Sequence, residues 1–150
     1  MKKISFLLSV ASAALLFNAC SKSSSSAPDP VYPKGIHAKI NGVTWTAQYA
    51  NKVTSSGGGM NSFEFDGTDS ASHETIYLLV TAFSGRGAHN LTSLSIDKAY
   101  YTTDTTAAAP IYATSGSINI TAMNDTAWGG TFNFVAGGKT ITDGTFNVNF

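Results

Sequence analysis

The residues on either side of an Asn41-Gly42 pair alternate between apolar and polar side chains. Asn-Gly accepts positive φ at both positions, so it is the strongest short signal for a two-residue β-hairpin turn. Such a turn aligns three apolar pairs across the hairpin, namely Ile40 with Val43, Ala38 with Trp45 and Ile36 with Ala47. Because directly paired residues share one face of a sheet, the pattern predicts a hairpin over 36–47 whose six apolar side chains all point inward.

Similar short runs along the rest of the chain predict an all-β domain. Strands are predicted at 63–65, 75–83, 96–101, 111–114, 117–123, 130–135 and 144–150, with a short one near Thr140. The run 75–83 is apolar on both faces, which is typical of a central strand covered on both sides. Loops are predicted at 55–62, 66–74, 85–90 and 102–110, and turns at 115–116 and 137–138. Short strands separated by turn signals favour an antiparallel β-sandwich, either immunoglobulin-like or close to a small barrel.

The phrase Gly-Thr-Phe-Asn occurs twice, beginning at Gly130 and at Gly144. Two copies are too few for a repeat architecture. We therefore interpret them as two similar strands on either side of the turn at 137–138. The residues of these strands that are predicted to face the core are Phe132, Phe134, Phe146, Val148 and Phe150.

Composition excludes several classes of function. The chain has 9 basic and 9 acidic residues, so it offers no basic face to nucleic acid. Its single cysteine excludes an internal disulfide and a cysteine-based metal site. The histidines do not have metal-ligand spacing, since His37 is predicted on the outer face of the hairpin and His73 and His89 in loops. With no nucleophile motif and no pair of carboxylates suited to acid–base chemistry, the sequence predicts no metal, no cofactor and no enzymatic activity.

The start of the chain has the order of an export signal. Lys2 and Lys3 precede an apolar run from Ile4 to Ala19. This run is shorter than the roughly 20 residues that a membrane-spanning helix needs. A short positive segment, a short apolar segment and a small residue, in that order, predict a cleaved signal peptide over residues 1–19.

Residues 16–20, Leu-Phe-Asn-Ala-Cys, resemble the lipobox of bacterial lipoproteins. The resemblance implies that Cys20 carries a thioether-linked lipid with palmitate-type acyl chains, which explains an otherwise unpaired cysteine in an exported chain. Ser21, rather than Asp, follows the cysteine, and in lipoproteins this favours the outer membrane. Residues 20–34 are rich in Ser and Pro and predict a flexible linker, followed by one domain over 35–150.

Several motifs of the domain resemble those of a family of small Gram-negative lipoproteins that carry a domain of unknown function. The motifs are Lys-Ile-Asn-Gly-Val-Thr-Trp from Lys39, the strand 76–80, Ser-Gly-Ser-Ile-Asn-Ile-Thr from Ser115, Gly-Thr-Phe-Asn-Phe from Gly130, and Asp-Gly-Thr-Phe-Asn-Val from Asp143. The resemblance covers most of 36–150. Because these motifs are structural, it implies an all-β fold in the cell envelope and transfers no active site.

Two kinds of carbohydrate chemistry remain as candidates. Ser70, Thr105 and Thr126 each follow an Asp and resemble bacterial O-glycosylation acceptors, in which Asp, then Ser or Thr, precedes a small or apolar residue. All three fall in predicted loops, where a transferase has access. Trp128, in the loop sequence Asn-Asp-Thr-Ala-Trp-Gly-Gly, is the aromatic residue whose context best suits contact with a glycan.

The sequence as a whole predicts a lipid-anchored, outer-membrane β-sandwich protein that binds or scaffolds, facing either the periplasm or the cell surface. The alternative is a surface glycan-binding accessory protein that uses Trp128. The expected partners are the membrane through Cys20, and carbohydrate or other envelope proteins.

Overall fold

The computed structural model describes residues 28–47, 50–57, 60–81, 85–103 and 109–149, and for 50–57 and 60–61 it describes the backbone alone. Within these ranges the chain forms strands and no helix, which confirms the predicted all-β class. The strands are β1 (Gly35–Ile40), β2 (Val43–Ala47), β3 (Ala50–Gly57), β4 (Met60–Thr68), β5 (Thr75–Val80), β6 (Gly87–Thr92), β7 (Lys98–Thr102), β8 (Ile111–Met123), β9 (Ala127–Ala136) and β10 (Lys139–Asn149). No helix able to cross a membrane occurs among the described residues.

All strand pairs are antiparallel, in the order β2-β1-β10-β9-β8-β7-β5-β4-β3, with β6 also beside β8. This sheet curls into a half-barrel around a core of buried side chains. Strand β8 joins the two halves, because it pairs with β7 at Ile111 and Tyr112 and with β6 from Ser115 onward. The halves meet inside, where the ring centroids of Phe65 in β4 and Phe146 in β10 are 4.6 Å apart.

The hairpin predicted over 36–47 is confirmed. Strands β1 and β2 pair in the predicted register, and Asn41 and Gly42 have φ of 49° and 83°. Five of the six apolar side chains are buried, but Val43 is 71% exposed. The inward prediction for Val43 is therefore wrong, because this residue flanks the turn on an edge strand and has no further strand to cover it.

The turn predicted at Ser115-Gly116 is wrong, because β8 continues through both residues. Gly116 has φ of 137°, a conformation that favours glycine. A Cβ at this position would lie 2.2 Å from the carbonyl oxygen of Asn133. The pairing of β8 with β9 is irregular between Ala113 and Ser115. The irregularity is a bulge at Thr114, two residues before the glycine and near the point where β8 changes neighbour from β7 to β6, and the chain does not reverse here.

Two predicted loops contain strands. Most of 55–62 belongs to β3 and β4, which pair as far as Gly57 and Met60, and 85–90 contains the start of β6, including His89. Among the described residues β3 pairs only with β4, and β6 only with β8. In β6 only Leu91 is buried, so this strand lacks the apolar alternation that reveals a strand in sequence.

The two copies of Gly-Thr-Phe-Asn face each other across β9 and β10. Phe146 lies opposite Gly130, and Phe132 lies opposite Gly144. A Cβ on Gly130 would lie 2.7 Å from Cζ of Phe146, and a Cβ on Gly144 would lie 2.6 Å from Cδ2 of Phe132. Each copy thus supplies the ring that covers the glycine of the other, which gives a physical reason for the duplication.

Of the residues predicted to face the core in the two C-terminal strands, Phe132, Phe134, Phe146 and Val148 are buried. In β8, where the alternation also indicates that Ile118, Ile120 and Ala122 face inward, the first two are buried and Ala122 is half-buried. Strand β5 lies between β4 and β7, with Ile76, Leu78 and Val80 fully buried. Its other face, with Tyr77 and Leu79, is partly exposed, so the strand is covered completely on one side only. Phe150, Thr105, Cys20 and the predicted signal peptide lie outside the described residues.

Candidate functional site

The segment that precedes β1 is docked on the domain. The carboxylate of Asp29 accepts two hydrogen bonds from Arg86, at 2.5 and 2.7 Å, in a two-pronged ion pair. The same guanidinium donates to the carbonyl oxygens of Thr121 and Met123, each at 3.2 Å. Arg86 therefore links the segment before β1 to the end of β8. Its partner Asp29 belongs to the predicted linker over residues 20–34.

Tyr32 makes the next contacts along this segment. Its hydroxyl oxygen lies 2.7 Å from Thr121 Oγ1, and its carbonyl oxygen accepts a 2.8 Å hydrogen bond from Asn147 Nδ2. The ring passes close to Gly129, where a Cβ would lie 2.9 Å from Cδ2 of Tyr32. The Gly129 of the Trp-Gly-Gly sequence thus leaves room for Tyr32 beside Trp128.

Trp128 is partly buried at this end of the half-barrel. Its ring centroid is 3.9 Å from that of Phe63, so one face packs on the core. The residue also lines a cavity of about 200 Å³ together with the docked segment and the ends of β8 and β10. The other lining residues include Asp29, Val31, Tyr32, Asn124 and Asn147. The cavity therefore combines aromatic rings with amide and carboxylate groups.

The loop before Trp128 is held by Asn124. Its side-chain oxygen accepts hydrogen bonds from the backbone N–H groups of Thr126 and Ala127 and from the Thr126 hydroxyl, at 2.8 to 3.0 Å. This is an Asx-type turn, which fixes the backbone locally. It positions the backbone at the start of β9. It also directs the Thr126 hydroxyl, the predicted glycosylation site, toward the Asn124 side chain.

Ser70 lies at a different place, in the exposed turn between β4 and β5. The carboxylate of Asp69 shapes this turn by accepting bonds from the Ser72 hydroxyl and backbone N–H at 2.8 and 3.1 Å. The hydrogen bond from the Ser72 hydroxyl lowers the pKa of Asp69 from its ordinary value. The structure therefore separates Ser70 from the Trp128 cavity, and the predicted site residues do not form one cluster.

A second, larger cleft of about 510 Å³ lies between the β1–β2 hairpin and the β4–β5 turn. Glu74 is central to it: its carbonyl oxygen accepts a 3.2 Å bond from the Trp45 indole, and its carboxylate accepts a 2.5 Å bond from the Tyr101 hydroxyl. Burial raises the pKa of Tyr101 well above its ordinary value. Trp45 is only 2% exposed, so its indole offers no face to a ligand.

His89 lies in β6, so its predicted position in a loop is wrong. Its Nδ1 is 3.2 Å from Asp97, and both side chains are largely buried. Asp97 also accepts bonds from the backbone and hydroxyl of Thr81, at 2.7 and 3.0 Å. The cluster ties β6 to the chain flanking β5 and β7. No group of three His, Cys, Asp or Glu suited to a metal occurs among the described residues.

Three tyrosines form a row that sequence analysis missed. Tyr77, Tyr100 and Tyr112 pair directly across β5, β7 and β8. The rings of Tyr77 and Tyr100 stack at 4.2 Å, and those of Tyr100 and Tyr112 meet edge to face at 5.7 Å. Burial raises the pKa of Tyr77 and of Tyr100. Because stacked rings cover each other's faces, the row stabilises the sheet and offers less ring surface than a flat platform would.

Comparisons with known proteins identify a family and leave the site unassigned. No curated protein and no solved structure matches the chain. A family model, described as a domain of unknown function (DUF6252), matches residues 33–150 and so begins just after the docked segment. The chain therefore belongs to the DUF6252 family, as the resemblance of its hairpin and Gly-Thr-Phe-Asn motifs predicted.

Proposed function

We propose that this chain is an outer-membrane lipoprotein, exported by a signal peptide over residues 1–19 and anchored by acylated Cys20, whose β domain is a non-catalytic binding module. The order of Lys2 and Lys3, the apolar run from Ile4 and the lipobox-like residues 16–20 supports the proposal, and the docking of Asp29 on Arg86 shortens the tether that it implies. If the lipid is on Cys20, residues 21–28 are the remaining tether, with a reach of roughly 30 Å at about 3.3 Å per residue. The lipid would then keep the Trp128 end of the half-barrel near the bilayer.

The domain is compatible with the sandwich-like module that the sequence predicts. Side chains of β4 pack across the core on β9 and β10, as in the contact between Phe63 and Trp128. In a sandwich, loops at the two ends carry recognition on a rigid core. The Trp128 cavity at one end is such a location, on the periplasmic or cell-surface side of the membrane.

Glycan binding is the specific activity that this cavity supports best. The carrying observation is that the rings of Trp128 and Tyr32 share a cavity with Asn124, Asn147 and Asp29. Apolar ring surface suits the C–H faces of a sugar, and amide and carboxylate groups suit its hydroxyls, as in ligand sites in general. The cavity volume of about 200 Å³ suits one sugar unit or chain end.

Glycan-array binding tests this assignment. We expect Trp128→Ala to lower binding of the soluble protein about tenfold or more, because removing a central aromatic contact costs about 2 kcal/mol in binding sites. Tyr112→Ala is the matched control, since Tyr112 is an exposed aromatic on another strand. Equal losses in both variants, or no glycan bound by the parent, would rule out this site.

The intact mass of the protein extracted from membranes tests export and modification together. We expect a chain beginning at Cys20, with the added mass of two or three acyl chains and their glycerol. If hexoses are also present, we expect them on Ser70 before Thr126, because the Thr126 hydroxyl is bonded to Asn124. Peptide mapping would assign them. An unmodified Cys20, or bare peptides at Ser70, Thr105 and Thr126, would contradict the lipid and the glycan predictions respectively.

A further inference from the structure

We infer that Arg86 is a positioning residue for the Trp128 cavity: it holds residues 29–32 in place as one wall of that cavity, an inference that rests on the proposed glycan site. The cavity is lined on this side by the consecutive residues from Asp29 to Tyr32. These residues lie upstream of the family domain, which begins at 33. The last residues of the predicted linker therefore form part of the candidate site.

The wall has little apolar burial to hold it. Val31, in the middle of the segment, is 96% exposed. The contacts of Asp29 and Tyr32 with Arg86, Thr121 and Asn147 are polar. A segment held by a few polar contacts opens at low free-energy cost. The ion pair at its upstream end therefore has a large share in keeping the wall closed.

The end of β8 orients the Arg86 side chain toward Asp29. Strand β6 covers the edge of β8 only as far as Ile120, which pairs with Gly87. The carbonyls of Thr121 and Met123 lie beyond that point, and both accept bonds from Arg86. These bonds fix the plane of the guanidinium, so both of its NH₂ groups can meet the carboxylate of Asp29. A lysine would supply the charge without the two-pronged geometry.

This arrangement couples the ligand to the tether. A sugar that contacts both Trp128 and the 29–32 wall binds the docked state better than the undocked state. By linkage, bound sugar then favours docking by the same factor by which docking favours the sugar. Occupancy of the cavity would therefore restrict how the domain turns about its lipid anchor.

The test uses the mature chain with Cys20→Ser, and measures tryptic cleavage at Lys34-Gly35 by mass spectrometry together with acrylamide quenching of Trp128. Trp45 is nearly inaccessible, so quenching reports on Trp128. We expect Asp29→Ala to raise the cleavage rate about twofold to fivefold, the upper part of the range for an exposed ion pair, and to increase quenching, with Tm unchanged. Arg86→Gln should do the same, and the double variant should cleave no faster than Arg86→Gln alone.

Lys39→Gln is the matched control, because it breaks the exposed ion pair of Lys39 with Asp143 elsewhere on the domain. It should leave both readouts unchanged. Parental cleavage and quenching in Asp29→Ala, or additive effects of the two substitutions, would overturn the role of Arg86.

Chitotriose and cellotriose then probe the coupling. We expect a sugar that binds the parent to slow cleavage at Lys34-Gly35 and to bind Arg86→Gln about twofold to fivefold more weakly, since Arg86 does not itself line the cavity. Binding without protection overturns the coupling. If neither sugar binds while cleavage still responds to Asp29, the glycan assignment fails and the positioning role of Arg86 is retained.

Discussion

Gly130→Ala is expected to lower the Tm of the domain by about 10 °C or more, measured by circular dichroism. The added Cβ would lie 2.1 Å from the carbonyl oxygen of Asn119 and 2.7 Å from Cζ of Phe146. The ring has limited room, and the carbonyl belongs to the backbone of β8, so a strand must move. Overpacking costs about 1–3 kcal/mol, and more where backbone shifts. We therefore expect a loss of about 3 kcal/mol or more from a total of roughly 5–15 kcal/mol.

Two further alanine variants separate close packing from backbone strain. Gly42→Ala has a φ of 83° but no atom within 4 Å of the added Cβ, so it should cost only about 1–2 kcal/mol of strain. Gly144→Ala should resemble Gly130→Ala, because its Cβ would lie 2.4 Å from the carbonyl oxygen of Phe132. If Gly130→Ala were as mild as Gly42→Ala, the reciprocal packing of the two motifs would not be a determinant of stability.

Cys20→Ser is expected to move the protein from the membrane fraction to the soluble fraction almost completely. Membrane affinity comes from acyl chains at about 0.8 kcal/mol per buried CH₂ group, and one chain alone gives only marginal binding. A serine at this position cannot form the thioether, so it carries no diacylglycerol. Fractionation of cells, with immunoblotting of both fractions, measures the change.

Ser21→Ala is the control for that experiment. It alters the neighbouring residue and keeps the thiol, so the protein should remain in the membrane fraction. A Cys20→Ser protein that stays attached as firmly as the parent would show that the domain is held by something other than lipid. It would also remove the reason for placing the Trp128 end near the bilayer.

The sequence predicted the fold best where two independent local signals agreed. At Asn41-Gly42 the turn chemistry and the apolar alternation required the same register, and that register is observed. The inward-facing residues of the C-terminal strands were also predicted correctly. Phe132, Phe134 and Phe146 alternate with polar residues, and all three are buried. The sequence signals failed where few side chains are buried and at the bulge of β8: β6 has only Leu91 fully buried, so its pattern resembled a loop.

The candidate site was only partly predictable for a related reason. Trp128 was identified from its local context, and the structure places it in a cavity. Asp29, Tyr32 and Arg86 were not associated with it, because their contacts join residues 35 to 115 positions apart in the chain. Short polar contacts of this kind leave no periodic signal in one sequence. His89 and Asp97 lie only eight positions apart, but the pattern of β6 resembled a loop and did not reveal their pairing.

The reciprocal glycine–phenylalanine packing has a consequence for how the chain acquires its structure. Both pairs lie within the single hairpin of β9 and β10, whose two-residue connection, Gly137 and Gly138, has positive φ at both positions. Its contacts are local in sequence, whereas β1 must find β10 across more than 90 residues, as in the pairing of Ile40 with Ile141. Since local contacts form at a lower entropic cost, we expect this hairpin and the β1–β2 hairpin each to form before β1 pairs with β10.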